Sequence, residues 1–432
     1  MNRTLMKKTL SALLTFCLVL GLAACGGFSR IPETQPPVAK VPETTAPVET
    51  LPPETTEATE PTTVPTEPEP TEERFILTFA GDCTLGYLPE HAYTAAGFCK
   101  VVGEDYEYPF RNVVSYFEND DFTMVNFEGV LGTEGARASK TFNFRGPAEY
   151  TNILTSSSVE AVTLANNHSL DYGQAGYAET KRLLEEAQVP YVEKDGSTLI
   201  ITPSGLKIGL YAASFVLDQK DLEAEITALR EQGAEIIVLA IHWGVEGSYY
   251  AIAEQTKVAY RAIDAGVDIV YGHHPHVLQR IEEYNDGIIF YSMGNFCFGG
   301  NQQPSDLDTA LLQQEVIRDA DGNVTLGELT IIPCSISSIP VKNNYQPTPY
   351  PADSAEYQRV LQKLAGTWNG KNVSVNYGST ETTPETTPSE TTPPETTTPA
   401  PPATDPAPPA NPDPEPAPTP TPEPAPSPDP ES

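Results

Sequence analysis

Between Phe75 and Gly378 the apolar residues fall in short unbroken runs, each closed by a polar turn and followed by an amphipathic stretch. The runs Phe75–Ala80, Phe122–Phe127, Ala161–Ala165, Ile236–Ile241, Asp268–Tyr271 and Ile288–Ser292 are short and rich in β-branched and aromatic residues, which predicts strands. They are apolar at successive positions rather than alternate ones, the pattern of strands covered on both faces in a parallel sheet. Phe110–Phe117, Tyr150–Ser156, Leu222–Gln232, Ile252–Ala265 and Ala355–Leu364 carry a helical period. So does Gln174–Ala187, where Tyr177, Lys181, Leu184 and Glu185 recur at helical spacing. Leu199–Thr202 and Lys207–Ala213 predict a hairpin turning at Pro203-Ser204-Gly205, and Ala310–Ile317 with Val324–Ile332 a late antiparallel pair. Strand and helix in alternation predict an α/β domain with a mainly parallel sheet.

The turns carry the chemistry. In a parallel sheet the carboxyl ends of the strands share one edge, where α/β proteins hold ligands. That edge would collect Asp82, Glu128, Asn167 with His168, His242, the run His273-His274-Pro275-His276, and Asn295. Three of the chain's six histidines lie within four residues there, which no packing rule requires. Carboxylates Asp82 and Glu128, the amide oxygen of Asn167 and imidazoles His242, His274 and His276 suit one or two divalent ions such as Mn, Fe or Zn. His168 is placed to donate a proton to a leaving group. Each residue also has an ordinary reading. Asp82 and Asn166-Asn167 fit turns, His242 fits a core histidine against Trp243, Asp171 fits a helix N-cap, and Arg145 fits a surface ion pair. Glu128 resists that treatment, because a charge closing an apolar strand is costly unless used.

Composition separates this core from its ends. Of 43 prolines, 31 lie in residues 26–74 and 379–432, Pro/Thr/Glu mixtures too poor in large apolar side chains to fold, which predicts disordered tails. The start is cationic, then apolar from Leu10 to Leu22, and ends in Leu22-Ala23-Ala24-Cys25, a secretory signal over residues 1–25. The last four residues resemble a bacterial lipobox, which implies cleavage before Cys25 and a lipid on its sulfur. Residues 26–74 then form a tether of on the order of 150 Å if extended. The expected placement is extracytoplasmic, lipid-anchored to the membrane and reaching into the wall. The domain itself spans 75–345, with a C-terminal helix and extension over 346–378 and an acidic tail over 379–432. Of the formal charge of −34, about −20 falls on residues 75–378, which argues against nucleic-acid partners. Four cysteines in that stretch make no disulfide scaffold; Cys83 and Cys297 adjoin strand-end motifs, where a disulfide or metal contact is the alternative to the ordinary reading of two buried small apolar residues.

The motifs as a set resemble a known family. F-A-G-D-C-T-L-G (79–86), V-N-F-E-G (125–129), F-N-F-R-G-P (142–147), L-A-N-N-H-S-L-D-Y-G (164–173), I-H-W-G-V-E (241–246), G-H-H-P-H-V-L-Q (272–279) and Y-S-M-G-N-F (291–296) occur in that order. This is similar to the bacterial capsule-synthesis proteins of the CapA type, associated with poly-γ-glutamate. The resemblance implies a calcineurin-like metallophosphoesterase fold, a sandwich of mixed sheets flanked by helices. It implies metal ligation by Asp82, Glu128, Asn167, His242, His274 and His276, with His168 catalytic. Arg145, Lys140 and Asn295 are the expected substrate contacts. Thr84 stands where the superfamily carries a histidine, Glu128 replaces an Asp, Tyr87 stands where CapA-type proteins often have Arg, and His273 is left to a structural role. The implied function is a metal-dependent hydrolase or transferase acting on an anionic cell-envelope polymer or its precursor, alongside membrane synthase subunits. The alternatives are a non-catalytic component that binds polymer or synthase, and a surface lipoprotein with an inactive remnant site.

Overall fold

A computed structural model describes residues 72–374. The signal, Cys25, nearly all of the tether and the acidic tail lie outside the described residues. Two sheets make up the frame. In the first, Glu73–Thr84 is central, with Phe122–Phe127, Ala161–Thr163 and Tyr191–Val192 running parallel on one side; on the other Asp308–Arg318 pairs antiparallel with it, and Val324–Ser335 pairs antiparallel with Asp308–Arg318. In the second, Lys207–Ser214, Ile236–His242, Ile269–His273 and Gly287–Phe290 are parallel, edged by antiparallel Ser197–Ile201 and Ile281–Tyr284.

The unbroken apolar runs have a direct cause. In Ile236–His242, Ile236, Val238 and Ala240 face the first sheet, packing with Leu77, Phe79 and Met124. Ile237, Leu239 and Ile241 point outward against Leu222, Ile226 and Ala259, from the helices Gln219–Glu231 and Ala253–Asp264. Successive residues enter different layers, so every position must be apolar. A third cluster covers the outer face of the first sheet, where Val125, Phe127 and Val162 meet Phe98, Phe110, Phe117 and Leu154. The result is the expected α/β sandwich of mixed sheets flanked by helices. Tyr271 stitches its middle layer: its hydroxyl, fully buried, donates to the carbonyls of Ala80 and, at 3.1 Å, Met124 across the sheets.

Several elements differ from the expectation. The helical period over 110–117 yields only the turn Val114–Phe117. Asn295–Phe298 is a strand, parallel to Glu73–Thr84 with Asp82 opposite Asn295. The C-terminal helix forms over the expected Ala355–Leu364 and buries Val360 and Leu364 in the inter-sheet core. Cys83 and Cys297 are buried free thiols; no disulfide joins them.

Candidate metal centre

The strand ends meet as their order requires. Gly81 allows a close approach, since a Cβ there would stand 2.1 Å from the carbonyl oxygen of Gly294. Without that side chain, Asp82 N–H reaches the same oxygen at 2.8 Å, and the Asp82 carboxylate is delivered beside the Asn295 strand. Asn126 donates to Asp82 Oδ1 at 2.8 Å, and Asn166 donates in turn to Asn126 Oδ1 at 3.0 Å and to the Phe127 carbonyl at 2.8 Å. Asn166 is therefore a brace between strand ends. Its neighbour Asn167 presents Oδ1 to His242 Nε2 at 2.9 Å.

His276 stands between the carboxylates. Its Nδ1 is 3.1 Å from Asp82 Oδ2 and 3.0 Å from Asn295 Oδ1, and Asn295 Nδ2 donates to the His276 carbonyl at 3.2 Å. Burial alone would lower the His276 pKa, but the charges of Glu128 and Asp82 outweigh it and raise it to about 9. Burial pushes Asp82 the other way from its His276 contact, and the contact wins, holding Asp82 below its ordinary value. His242 and His274 are buried among other rings, their centroids 4.6 Å apart with Phe215 packed on both. Burial and then the neighbouring histidines press His242 well down, and burial brings His274 to about 4, so both are neutral at pH 7 with lone pairs available.

Glu128 decides whether a cation fits. It is fully buried, and neither carboxylate oxygen has a hydrogen-bond partner among the described residues. Burial, and then the charge of Asp82, drive its pKa well up. Its Oε1 lies 3.8 Å from His242 Nε2, 3.8 Å from His276 Nε2 and 3.9 Å from His168 Nε2. These spans are too long for hydrogen bonds. They match donors around one ion, since bonds of about 2.0–2.2 Å set neighbouring ligand atoms about 3–4 Å apart. Asp82, Glu128 and His242 each offer one ligand atom within 4.8 Å of the others, and Glu246, His274 and His276 form a second such group. An orphaned carboxylate ringed by imidazoles is a donor set for a divalent cation.

The profile of the bacterial capsule synthesis proteins matches residues 76–300, every strand end just described. The chain belongs to that family. It is 28% identical over 322 residues to a capsule biosynthesis protein CapA of Bacillus anthracis, covering 68% of this chain and 73% of the relative. It is 24% identical over 310 residues to a PGA biosynthesis protein CapA of Bacillus subtilis, covering 66% and 76%. A probable polyglutamine synthesis accessory protein of Mycobacterium tuberculosis is 26% identical over 274 residues, 54% and 71% of the two chains. Among solved structures, the NAD nucleotidase of Haemophilus influenzae aligns with a TM-score of 0.34 at 11% identity, over 68% of this chain and 57% of that one.

Within the family motifs, the structure brings together Asp82, Glu128, Asn167, His168, His242, His274 and His276. It gives the expected substrate contacts other partners. The Arg145 guanidinium lies 3.4 Å over the Tyr172 ring and donates to the carbonyls of Thr133, at 3.0 Å, and Glu134. It ties a loop to the helix Gly173–Glu186. Lys140 pairs with Asp171 and donates to the Asn167 carbonyl at 2.8 Å, while Asn295 orients His276. His273 is buried edge-on against Tyr271 at 4.0 Å, in the layer between the sheets. Trp243 stacks on Tyr291, away from His242.

Two residues escaped the sequence reading. Asp171 is no N-cap, since the following helix is capped at Tyr172; its Oδ2 sits 2.8 Å from His168 Nδ1 and accepts Phe144 N–H at 2.6 Å. Glu246 ends the motif Ile241–Glu246, four residues after His242, and that position is the available signal. Thr84 is fully buried, its hydroxyl without a hydrogen-bond partner among the described residues, and it offers no imidazole beside Asp82.

Proposed function

We propose that the domain is a divalent-metal-dependent hydrolase or transferase in the synthesis of capsular poly-γ-glutamate, acting on that anionic polymer or a precursor. The observation that carries the reading is Glu128, buried, without hydrogen-bond partners among the described residues and surrounded by three imidazole nitrogens at 3.8–3.9 Å. Asp82, Glu128, Asn167 and His242 hold the buried ion, with His274 and His276 beside them. Such ions polarise a phosphoryl or acyl oxygen and lower the pKa of water. His168 is the proton carrier: Asp171 takes its Nδ1–H, which leaves Nε2 directed at the centre. Lys140 holds Asp171 in place from its far oxygen. A lipid at Cys25 anchors the chain outside the cytoplasm, beside the synthase it assists; its similarity to a capsule biosynthesis protein and to a probable polyglutamine synthesis accessory protein supports an accessory place in the pathway.

A binding role without catalysis is the second reading. It is favoured by Thr84, which offers no imidazole, and by Lys140 and Arg145, whose charges are committed within the protein. The full-length protein and a His274→Ala/His276→Ala variant separate the two. Bound Mn, Fe and Zn are measured, with hydrolysis of a general phosphodiester and of poly-γ-glutamate. Wild type is expected to hold more metal than the variant and to cleave one substrate. Equal metal contents end the metal reading, whereas metal without cleavage of either ester or amide transfers support to the binding role. Cys25→Ser is expected to move the protein from the membrane to the soluble fraction; unchanged partitioning ends the anchor.

A further inference from the structure

We infer that Glu246, with His274 and His276, completes a second divalent-cation position on the exposed side of the site, adjoining the buried group Asp82, Glu128 and His242 through His276. The inference rests on the metal reading and gives a ligand role to Glu246, the last residue of the motif 241–246, which that reading leaves unused. One atom from each of Glu246, His274 and His276 lies within 4.8 Å of the other two. His274 Nδ1 is buried and has no hydrogen-bond partner among the described residues. Two imidazoles and one carboxylate suit zinc and the neighbouring first-row ions better than calcium or magnesium. Three protein donors leave coordination open to solvent or substrate.

The backbone is built to bring these groups together. His274 and His276 have φ of 95° and 57°, in the left-handed region, flanking Pro275. Such a backbone conformation is costly for a residue other than glycine and persists only where its surroundings enforce it. The enforcing contacts run to the Glu246 loop. Gly247 N–H donates to the Pro275 carbonyl at 2.8 Å, and Trp243 N–H to the His273 carbonyl at 3.0 Å. Behind them the buried amide of Gln279 accepts from Gln255 at 3.0 Å and donates to the Ser248 carbonyl at 2.8 Å. Glu246 is thus fixed to the histidine turn from both of its flanks, although its own side chain is exposed.

The two groups differ in access. Asp82, Glu128 and His242 are 0–1% exposed, whereas Glu246 faces solvent. The mouth ion exchanges readily and the buried ion is retained. Glu246, from the second sheet, compensates for the imidazole absent at Thr84 in the first.

The test is a Zn²⁺ titration of full-length, chelator-stripped protein, with stoichiometry read by elemental analysis. Wild type is expected to take two ions of unequal affinity. Glu246→Gln and Glu246→Ala keep the tighter ion and lose the weaker one or bind it at least tenfold less well. Glu254→Gln, an exposed carboxylate elsewhere, keeps both. Matching melting curves of the stripped proteins establish that the variants fold. One ion in wild type, or two at unchanged affinity in both Glu246 variants, overturns the inference. Two ions bound with no substrate cleaved ends the catalytic reading and leaves this one standing.

Discussion

Asp171 and His168 show how one carboxylate sets the proton inventory of the crevice. The Asp171 carboxylate at 2.8 Å, an acceptor only, assigns the His168 proton to Nδ1, with Nε2 turned to Glu128. Burial pulls the His168 pKa below its ordinary value, and the Asp171 charge works against that pull. Asp171→Asn removes the charge while keeping an oxygen for Phe144 N–H. The His168 pKa is therefore expected to fall further, read from its ring proton shifts by NMR titration, with turnover on any cleaved substrate down about 10–100-fold. A rise, or no change, in that pKa would show that Asp171 does not govern the proton. Spacing alone pointed to an N-cap, because Asp171 lies just before a helix. The decisive partners, Phe144 and Lys140, come from a segment some thirty residues earlier, about which local pattern is silent. Glu128 was legible for the opposite reason. A charge at the end of an apolar run conflicts with its own neighbours, and such conflicts mark functional positions.

Elements were legible wherever two faces or one face had to be apolar over a full strand or several turns. Phe122–Phe127 and Ala355–Leu364 begin and end where the pattern places them. Asn295–Phe298 and the two-residue pair Val130–Leu131 with Arg145–Gly146 are too short to show a period, and only tertiary pairing defines them. One pairing carries a pH dependence. Ahead of the strand Ala161–Thr163, Glu160 binds Thr123 twice: its N–H donates to the Thr123 carbonyl at 3.0 Å, and its carboxylate accepts Thr123 N–H at 2.7 Å. Burial raises the Glu160 pKa from 4.5 to about 7, aided by the nearby charge of Asp120. A raised carboxyl pKa means the fold prefers the protonated form. Its contribution is complete below about pH 4.5 and is lost as pH rises through 7. Glu160→Gln keeps the acceptor and removes the charge. After allowance for partial exposure, the variant is expected to be more stable than wild type by about 1–2 kcal/mol at pH 8, with the gap closing towards pH 5. Urea unfolding across that range checks it, and a constant gap between the two proteins would refute the assignment.

At the scale of the molecule, the end of the described chain returns to the mouth of the crevice. The helix Ala355–Leu364 is clamped by buried Lys363, 2.6 Å from Asp306 and 2.7 Å from Asp308, and by Arg359 on Asp308 at 2.7 Å. Beyond it the chain crosses to the Glu246 loop, where Asn372 Oδ1 accepts Tyr249 N–H at 3.2 Å and Val373 N–H donates to the Gly247 carbonyl at 3.0 Å. Ser305 donates to the Ser374 carbonyl at 2.8 Å, closing the strap on the far side. The helix and the strap thus do different work. The helix buries apolar surface and pairs charges, so its loss costs stability. The strap makes few apolar contacts but joins the residue next to Glu246, so its loss is expected at the mouth. A chain ending at Trp368 keeps the helix and loses the strap, and its urea midpoint is expected to stay close to that of the full chain. Its weaker Zn²⁺ affinity is expected to fall several-fold while the tighter ion is unaffected. A chain ending at Gly378 lacks only the acidic tail and is expected to bind as the full chain does. Equal affinities for both ions in all three proteins would show that the strap does not position Glu246, and a tighter ion lost with the strap would place its effect on the buried group instead.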